Sequence, residues 1–223
     1  MSQSTAESAS ETADRASVVV VDYGLGNLRS VTRGLERAGA GVEITDDPDT
    51  FADADGIVLP GVGAFKEGMD NAGPYREPLA AAADRGQPIF GICLGMQMLL
   101  GSSEEAAHAG EGDVEGLNFV PGTNVRFGDD VKVPHMGWNE LTVENDHPIA
   151  AGVDGEYAYF VHSYYAVPDD ADAIVATSDY GDRFPAIVAN ESGTVFGTQF
   201  HPEKSGETGL RILRNFVDLC VND

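Results

Sequence analysis

The five residues Gly91, Ile92, Cys93, Leu94 and Gly95 place a thiol where the apolar run Ile89–Ile92 gives way to a helix-favouring stretch. This spacing reads as a nucleophile elbow, with cysteine in the place of serine. An elbow holds its nucleophile in a strained backbone conformation, and glycines two positions to either side leave room for the chain to pass. A thiol at a helix N-terminus also meets the positive end of the helix dipole, which favours the reactive thiolate. A buried structural cysteine is the competing reading of a lone Cys. The paired glycines weigh against it.

A thiolate that attacks a carbonyl needs a proton acceptor that later donates to the leaving group, and histidine fills that role near neutral pH. Of the five histidines, His201 follows the apolar run 195–200 and precedes Pro202 and Glu203. Residues two apart on extended backbone point the same way, so the Glu203 carboxylate is placed to accept a hydrogen bond from the His201 ring. Cys93, His201 and Glu203 then form a triad. A tetrahedral intermediate also needs backbone donors. Pro60, Gly61, Val62 and Gly63 follow the apolar run Gly56–Leu59, and the Val62 or Gly63 N–H is assigned as one donor, with the Leu94 N–H as the other. A second glycine cluster, residues 24–29, lacks the third glycine of a dinucleotide fingerprint, since Arg29 stands there, and a dinucleotide cofactor is rejected.

The elements that must position these groups are legible as alternating strands and helices. Residues 18–21 are a continuous β-branched run, as in a strand covered on both faces. Asn27 is placed to cap a helix with Leu28, Val31, Leu35 and Ala38 on one side and Arg29, Arg33 and Arg37 on the other. Residues 42–45, 56–59 and 89–92 read as further strands and 77–85 as a helix, an alternation that implies a parallel sheet. Beyond a helix starting near Leu94, shorter strands are expected at 116–120, 138–143, 158–161, 173–176, 186–189 and 195–200. A closing amphipathic helix at 208–221 places Cys220 in the core. The expected architecture is one α/β domain over 17–223, a three-layer αβα arrangement around a mostly parallel sheet, preceded by a disordered acidic tail at 1–16.

Composition removes several function classes. The 37 acidic residues against 13 basic ones give a net charge of -24, which repels phosphate backbones and anionic lipid. Nucleic acid and membrane are therefore not expected partners. Acidic residues run along the whole chain and only Lys66, Lys132 and Lys204 are lysines, a pattern that reads as adaptation to high salt. Two cysteines cannot build a disulfide framework, no metal-ligand spacing is present, and a reducing cytoplasm is expected with neither metal nor cofactor.

The elbow, the His-Pro-Glu segment and the glycine loop occur in an order that resembles the class I glutamine amidotransferases over nearly all of the chain after the tail, a flavodoxin-like fold. The runs 23–31, 60–65, 134–139 and 159–164 are similar to those of the glutaminase subunits of imidazole glycerol phosphate synthases. The resemblance implies that glutamine is hydrolysed through a glutamyl thioester on Cys93, with His201 as acid and base and Glu203 orienting it. It implies that the ammonia passes to a separate cyclase subunit with a (β/α)8 barrel, in histidine biosynthesis. It further implies that Gln97 contacts glutamine, that Glu105 holds its α-ammonium (with Glu104 the adjacent alternative), and that Ser163 and Tyr164 hold its carboxylate. Asn27, Trp138, Tyr159 and Lys204 match positions facing the cyclase, although Trp138 and Tyr159 read equally well as core aromatics. The glycine loop is expected to be poorly arranged for catalysis until the cyclase binds its nucleotide. The alternatives are a glutaminase of another biosynthetic pathway and a stand-alone cysteine hydrolase.

Overall fold

Apolar runs too short for a helix and bounded by glycine or aspartate become the strands of one sheet. The computed structural model describes residues 15–110, 112 and 114–221. In chain order the elements of the first half are β1 (Ser17–Val21), α1 (Leu28–Ala38), β2 (Gly41–Thr45), β3 (Gly56–Leu59), α2 (Phe65–Asn71), α3 (Arg76–Asp84), β4 (Ile89–Ile92) and α4 (Leu94–Met98). The second half adds β5 (Leu100–Ser103), α5 (Glu104–His108), β6 (Val120–Arg126), β7 (His135–Glu140), β8 (Thr142–Val143), β9 (Tyr157–His162), β10 (Tyr164–Pro168), β11 (Ile174–Tyr180), β12 (Asp182–Ala189), β13 (Val195–Thr198) and α6 (Gly206–Val221). The tail expected at 1–16 lies outside the described residues as far as residue 14. Ala16 is buried, and its carbonyl accepts the Gly41 N–H at 2.8 Å.

The main sheet has eight strands in the order β2-β1-β3-β4-β13-β12-β11-β8. The first five are parallel and the rest antiparallel. Its parallel part has the strand order of flavodoxin-like sheets, in which ligands bind beyond the carboxyl ends of the strands. One face is packed by α1 and α6: Val31 and Leu35 meet Val18, Val20, Ile212 and Leu213, while Phe216 lies against Phe90 and Phe196 with ring centroids 5.3 and 6.1 Å away. The other face packs Val19, Ile57 and Leu59 against Phe65 and Met69 of α2, Leu79 of α3, and Leu94 and Met98 of α4. Strands with apolar residues on both faces between two helical layers give the expected αβα sandwich.

Several local expectations change. The strand expected at 116–120 begins only at Val120 and runs to Arg126, and the stretch 138–143 divides into β7 and β8 at the fully buried Leu141. Asn27 makes no side-chain cap; its carbonyl takes the Ser30 and Val31 N–H groups, and α1 is closed at its far end by Gly39 in the left-handed region (φ 108°). The run 195–200 leaves the sheet after Thr198. Four elements stand outside the expected set: α2 and β5 each carry a glycine, α5 is polar, and β10 follows β9 after a single residue.

What matters for the site is that β3, β4 and β13 are adjacent and parallel. The glycine loop, Cys93 and His201 therefore leave from one edge. A smaller sheet, β10-β6-β5, and the β7-β9 ribbon supply a second wall. The elbow packs so closely that a Cβ on Gly95 would overlap the Leu59 carbonyl of β3. Gly95→Ala should therefore exceed the about 1–3 kcal/mol typical of overpacking, read as a fall in the midpoint of thermal unfolding at constant salt. An unchanged midpoint would show that β3 and the elbow are not packed this way.

Candidate active site

Cys93 has φ 54° and ψ −107°, a backbone conformation that non-glycine residues rarely adopt. The strain is held from both sides: its N–H donates to the Thr198 carbonyl of β13 at 2.8 Å, and its carbonyl accepts the Gln97 N–H at 3.1 Å. A Cβ on Gly91 would lie 2.7 Å from the Gly95 carbonyl carbon, and one on Gly197 2.6 Å from Met96. The glycine bracket is thus a steric necessity. The helix that follows is a single turn of five residues. The dipole assistance read from the sequence is correspondingly small, and the local contribution comes from the free N–H groups of that turn.

His201 and Glu203 meet as expected, by a different backbone route. Glu203 lies in a 3-10 turn, Pro202–Lys204, that folds its carboxylate back onto the ring, so that His201 Nδ1 and Glu203 Oε1 are 2.9 Å apart with both side chains almost fully buried. The His201 N–H donates to the Tyr159 carbonyl at 3.1 Å. The Ser205 hydroxyl donates to the His201 carbonyl at 2.7 Å and accepts the Tyr159 N–H at 2.9 Å. Burial alone would push His201 towards the neutral form, but Cys93 and Glu203 outweigh it and raise its pKa from 6.5 to about 9. Nε2 is buried without an aligned hydrogen bond. In the resting site the thiol instead faces the Val161 carbonyl at 3.9 Å. Such misalignment is common before substrate arrives.

These groups open into a cleft of about 320 Å³, a volume suited to a small molecule. Of the residues singled out from sequence, Val62, Gly63, Leu94 and Gln97 line it together with Cys93 and His201. Glu105, Ser163, Tyr164 and Lys204 complete the wall. Glu105 is the lining carboxylate, and its Oε2 accepts the Phe65 N–H at 2.7 Å; Glu104 is exposed and takes the Arg126 N–H instead. Asn27, Trp138 and Tyr159 do not line the cleft. Trp138 is 53% exposed, which overturns its core reading; its ring sits edge-on to that of the half-buried Tyr159 at 5.9 Å. Among the described residues, no three His, Cys, Asp or Glu side chains converge to hold a metal, and no helix is long and apolar enough to cross a membrane.

Three contributors were not singled out from sequence. Tyr23 donates its hydroxyl to the Pro60 carbonyl and so anchors the glycine loop; burial, with Cys93 nearby, raises its pKa and keeps it protonated. A Cβ on Gly61 would come within 2.7 Å of that hydroxyl. His162 lines the cleft, but burial pushes its pKa down to about 3, so it remains neutral near neutral pH. Gln199, fully buried, donates from Nε2 to Cys93 Sγ at 3.8 Å and accepts from Gln97 Nε2 at 3.1 Å. A buried amide within the run 195–200 was the available signal.

A strained cysteine after β4, a buried His-Glu pair after β13 and a glycine loop after β3 define a class, and the chain belongs to the glutamine amidotransferase class-I family, whose description it matches over residues 19–220. Its fold agrees with that of PurLQS from Thermotoga maritima, with a TM-score of 0.74 and 25% identity over 92% of this chain and 98% of that one. Within the family it belongs with the imidazole glycerol phosphate synthase subunits HisH. It is 74% identical over 212 residues to that of Natronomonas pharaonis, covering 95% of this chain and 99% of the relative. It is 73% identical over 207 residues to that of Halobacterium salinarum, covering 93% and 95%. These haloarchaeal relatives fit the salt-adapted composition.

The raised pKa of His201 has a defined pH signature. A group whose folded pKa is raised contributes stability that is full below its unfolded value, here 6.5, and is lost as pH rises through about 9. The stability advantage of the unsubstituted chain over Glu203→Gln should accordingly be largest below pH 6.5 and shrink towards pH 9. In the variant, the His201 Hε1 resonance should titrate at lower pH. An unmoved titration midpoint would mean that Glu203 does not stabilise the imidazolium.

Proposed function

We propose that this chain is the ammonia-releasing subunit of imidazole glycerol phosphate synthase, hydrolysing glutamine with Cys93, His201 and Glu203. The observation that carries the mechanism is the buried His201–Glu203 pair, of which His201 lines the same cleft as the strained Cys93. With its proton already passed to His201 Nε2, Cys93 Sγ attacks the side-chain amide carbon of glutamine as a thiolate. That proton then goes to the departing nitrogen, ammonia leaves, and a γ-glutamyl thioester remains. A water molecule, deprotonated by His201, attacks the thioester carbonyl, releasing glutamate and restoring the thiol. Glu203 keeps Nδ1 protonated, so that Nε2 is the atom that exchanges protons.

Glu105 is the carboxylate that faces the α-ammonium of glutamine, a choice supported by its place in the cleft wall and by the outward position of Glu104. Backbone groups at Ser163 and Tyr164 take the α-carboxylate, and Gln97 completes the wall beneath the substrate. The Leu94 N–H and a donor from Val62 or Gly63 stabilise the oxyanion. Clamping of Pro60 and Gly61 by Tyr23 and the elbow leaves Val62, 42% exposed, and Gly63, at φ +117°, as the part of the loop able to re-aim its peptides. The partner is a (β/α)8 cyclase that takes up the ammonia and docks on Asn27, Trp138, Tyr159 and Lys204. The exposed Trp138 and the neighbouring Met136, 65% exposed, support that face, because large apolar side chains in water mark interaction surfaces.

Two outcomes test this reading. Glutamate release should rise a hundred- to a thousandfold when the cyclase and its nucleotide are added, as expected if one oxyanion donor, worth about 2.7–4 kcal/mol, is missing in the free chain. Equal turnover with and without them would reject the activation. Cys93→Ala should cut the activity of the complex to below about a thousandth; retention of activity would reject the nucleophile.

A further inference from the structure

Gln199 belongs to no part of the triad, yet it is fully buried and touches the nucleophile. Its orientation follows from the network around it. Gln97 donates from Nε2 to the Tyr164 carbonyl at 2.9 Å, and a carbonyl can only accept, so that atom of Gln97 is the amide nitrogen. The same nitrogen lies 3.1 Å from Gln199, whose facing atom must therefore be Oε1. The other end of the Gln199 amide, Nε2, is then the atom 3.8 Å from Cys93 Sγ. A backbone carbonyl two residues removed thus fixes a donor, not an acceptor, against the sulfur. The Asn124 side chain holds the same assembly from below, donating to the Gln97 carbonyl at 2.9 Å and the Ser102 carbonyl at 3.0 Å.

We propose that Gln199 is a positioning residue for the reaction, holding the Cys93 sulfur on a fixed amide N–H that favours the thiolate, with Gln97 and the Tyr164 carbonyl locking its orientation. A donor aimed at the charged form of a group stabilises that form. The assignment rests on the glutaminase reading only in naming the reaction; the hydrogen bond to sulfur is a property of the resting site. It also gives Gln97 a second task. Any glutamine that displaces Gln97 from the Tyr164 carbonyl would loosen the amide that holds the thiolate, which links occupancy of the cleft to the state of the nucleophile.

The test follows carbamidomethylation of the Cys93 peptide by iodoacetamide as a function of pH, in the full chain, by mass spectrometry. Cys220 does not interfere, because burial pushes its thiol up to about 12. Gln199→Met keeps the length of the side chain and removes the donor. Its alkylation midpoint should move upward by about one pH unit, a tenfold fall in rate near neutrality. A folded Gln199→Met chain with the unsubstituted midpoint overturns the proposal. Should Gln199→Met fail to fold, the unsubstituted chain decides: with glutamine labelled in its side-chain nitrogen, the Gln199 amide protons should shift downfield with the alkylation midpoint and cease to do so in Cys93→Ser. Amide protons that do not titrate in that range overturn it as well. Failure of the unsubstituted chain and its cyclase to hydrolyse glutamine would sink the glutaminase reading while leaving the alkylation result intact.

Discussion

At the end of β4 the backbone of residues 91–95 lies directly against the backbones of β3 and β13, with no room for a side chain between them. Cβ atoms on Gly91, Gly95 and Gly61 would each come within 2.8 Å of neighbouring backbone or be driven into it. This close packing allows Cys93 to be held at φ 54° when nothing in the intrinsic preference of cysteine favours it. It also sets three loops side by side. Because β3, β4 and β13 are neighbours in parallel register, the glycine loop, Cys93 and His201 converge by topology, and the αβα core of Phe90, Phe196 and Phe216 beneath them resists their separation. A strained nucleophile persists only where the surroundings over-determine it.

The imidazole beside Glu203 is fixed from the opposite wall. His201 is tied to β9 through the Tyr159 carbonyl, and Ser205 bridges the His201 carbonyl to the Tyr159 N–H. Tyr159 is thereby both a neighbour of the exposed Trp138 and a backbone partner of the base. A partner seated on the β7-β9 ribbon would press on a strand hydrogen-bonded to His201, while Tyr23 and the elbow keep Pro60 and Gly61 still. Under the proposed reaction, the division between the fixed Cys93, His201 and Glu203 and the unclamped pair Val62 and Gly63 gives the site a place where rate can be governed without disturbing Cys93. With a charge of -24, the chain meets any acidic partner against long-range repulsion, which salt screens. Screening by salt does not weaken short-range apolar contact of the kind that the exposed Trp138 and Met136 could make on the proposed docking face.

The parts of this structure legible in the sequence were those in which one local pattern sufficed. β1, β3 and β4 are unbroken apolar runs, α1 and α6 show apolar residues at helical spacing, and the elbow announces itself through glycines around a cysteine. Where tertiary packing decides, the pattern is silent. β5, with the sequence Leu-Gly-Ser-Ser, is a strand because β6 lies beside it, and α2 carries Gly68 in its middle because Met98 and Leu94 press against that position. The strand read at 116–120 fails because Asn118 turns into the left-handed region (φ 58°), and the ladder with β10 runs only from Gly122 to Arg126. The contact between His201 and Glu203 was legible in His-Pro-Glu, but for an incomplete reason, since a 3-10 turn and not extended backbone brings Glu203 to the ring. Gln199 passed as one polar residue in a strand, and Tyr23 as part of a turn, because their roles depend on contacts 106 and 37 residues away along the chain.

In the proposed reaction, Cys93 Sγ is the atom that takes the γ-glutamyl group from glutamine. Its most direct test is rapid acid quenching of the chain turning over glutamine with its cyclase and nucleotide, followed by mass spectrometry of the digested protein. A γ-glutamyl adduct on the peptide containing Cys93, formed before glutamate accumulates and absent without glutamine, is the predicted result. Steady glutamate release with that peptide unmodified, or with the adduct on another residue, would contradict it.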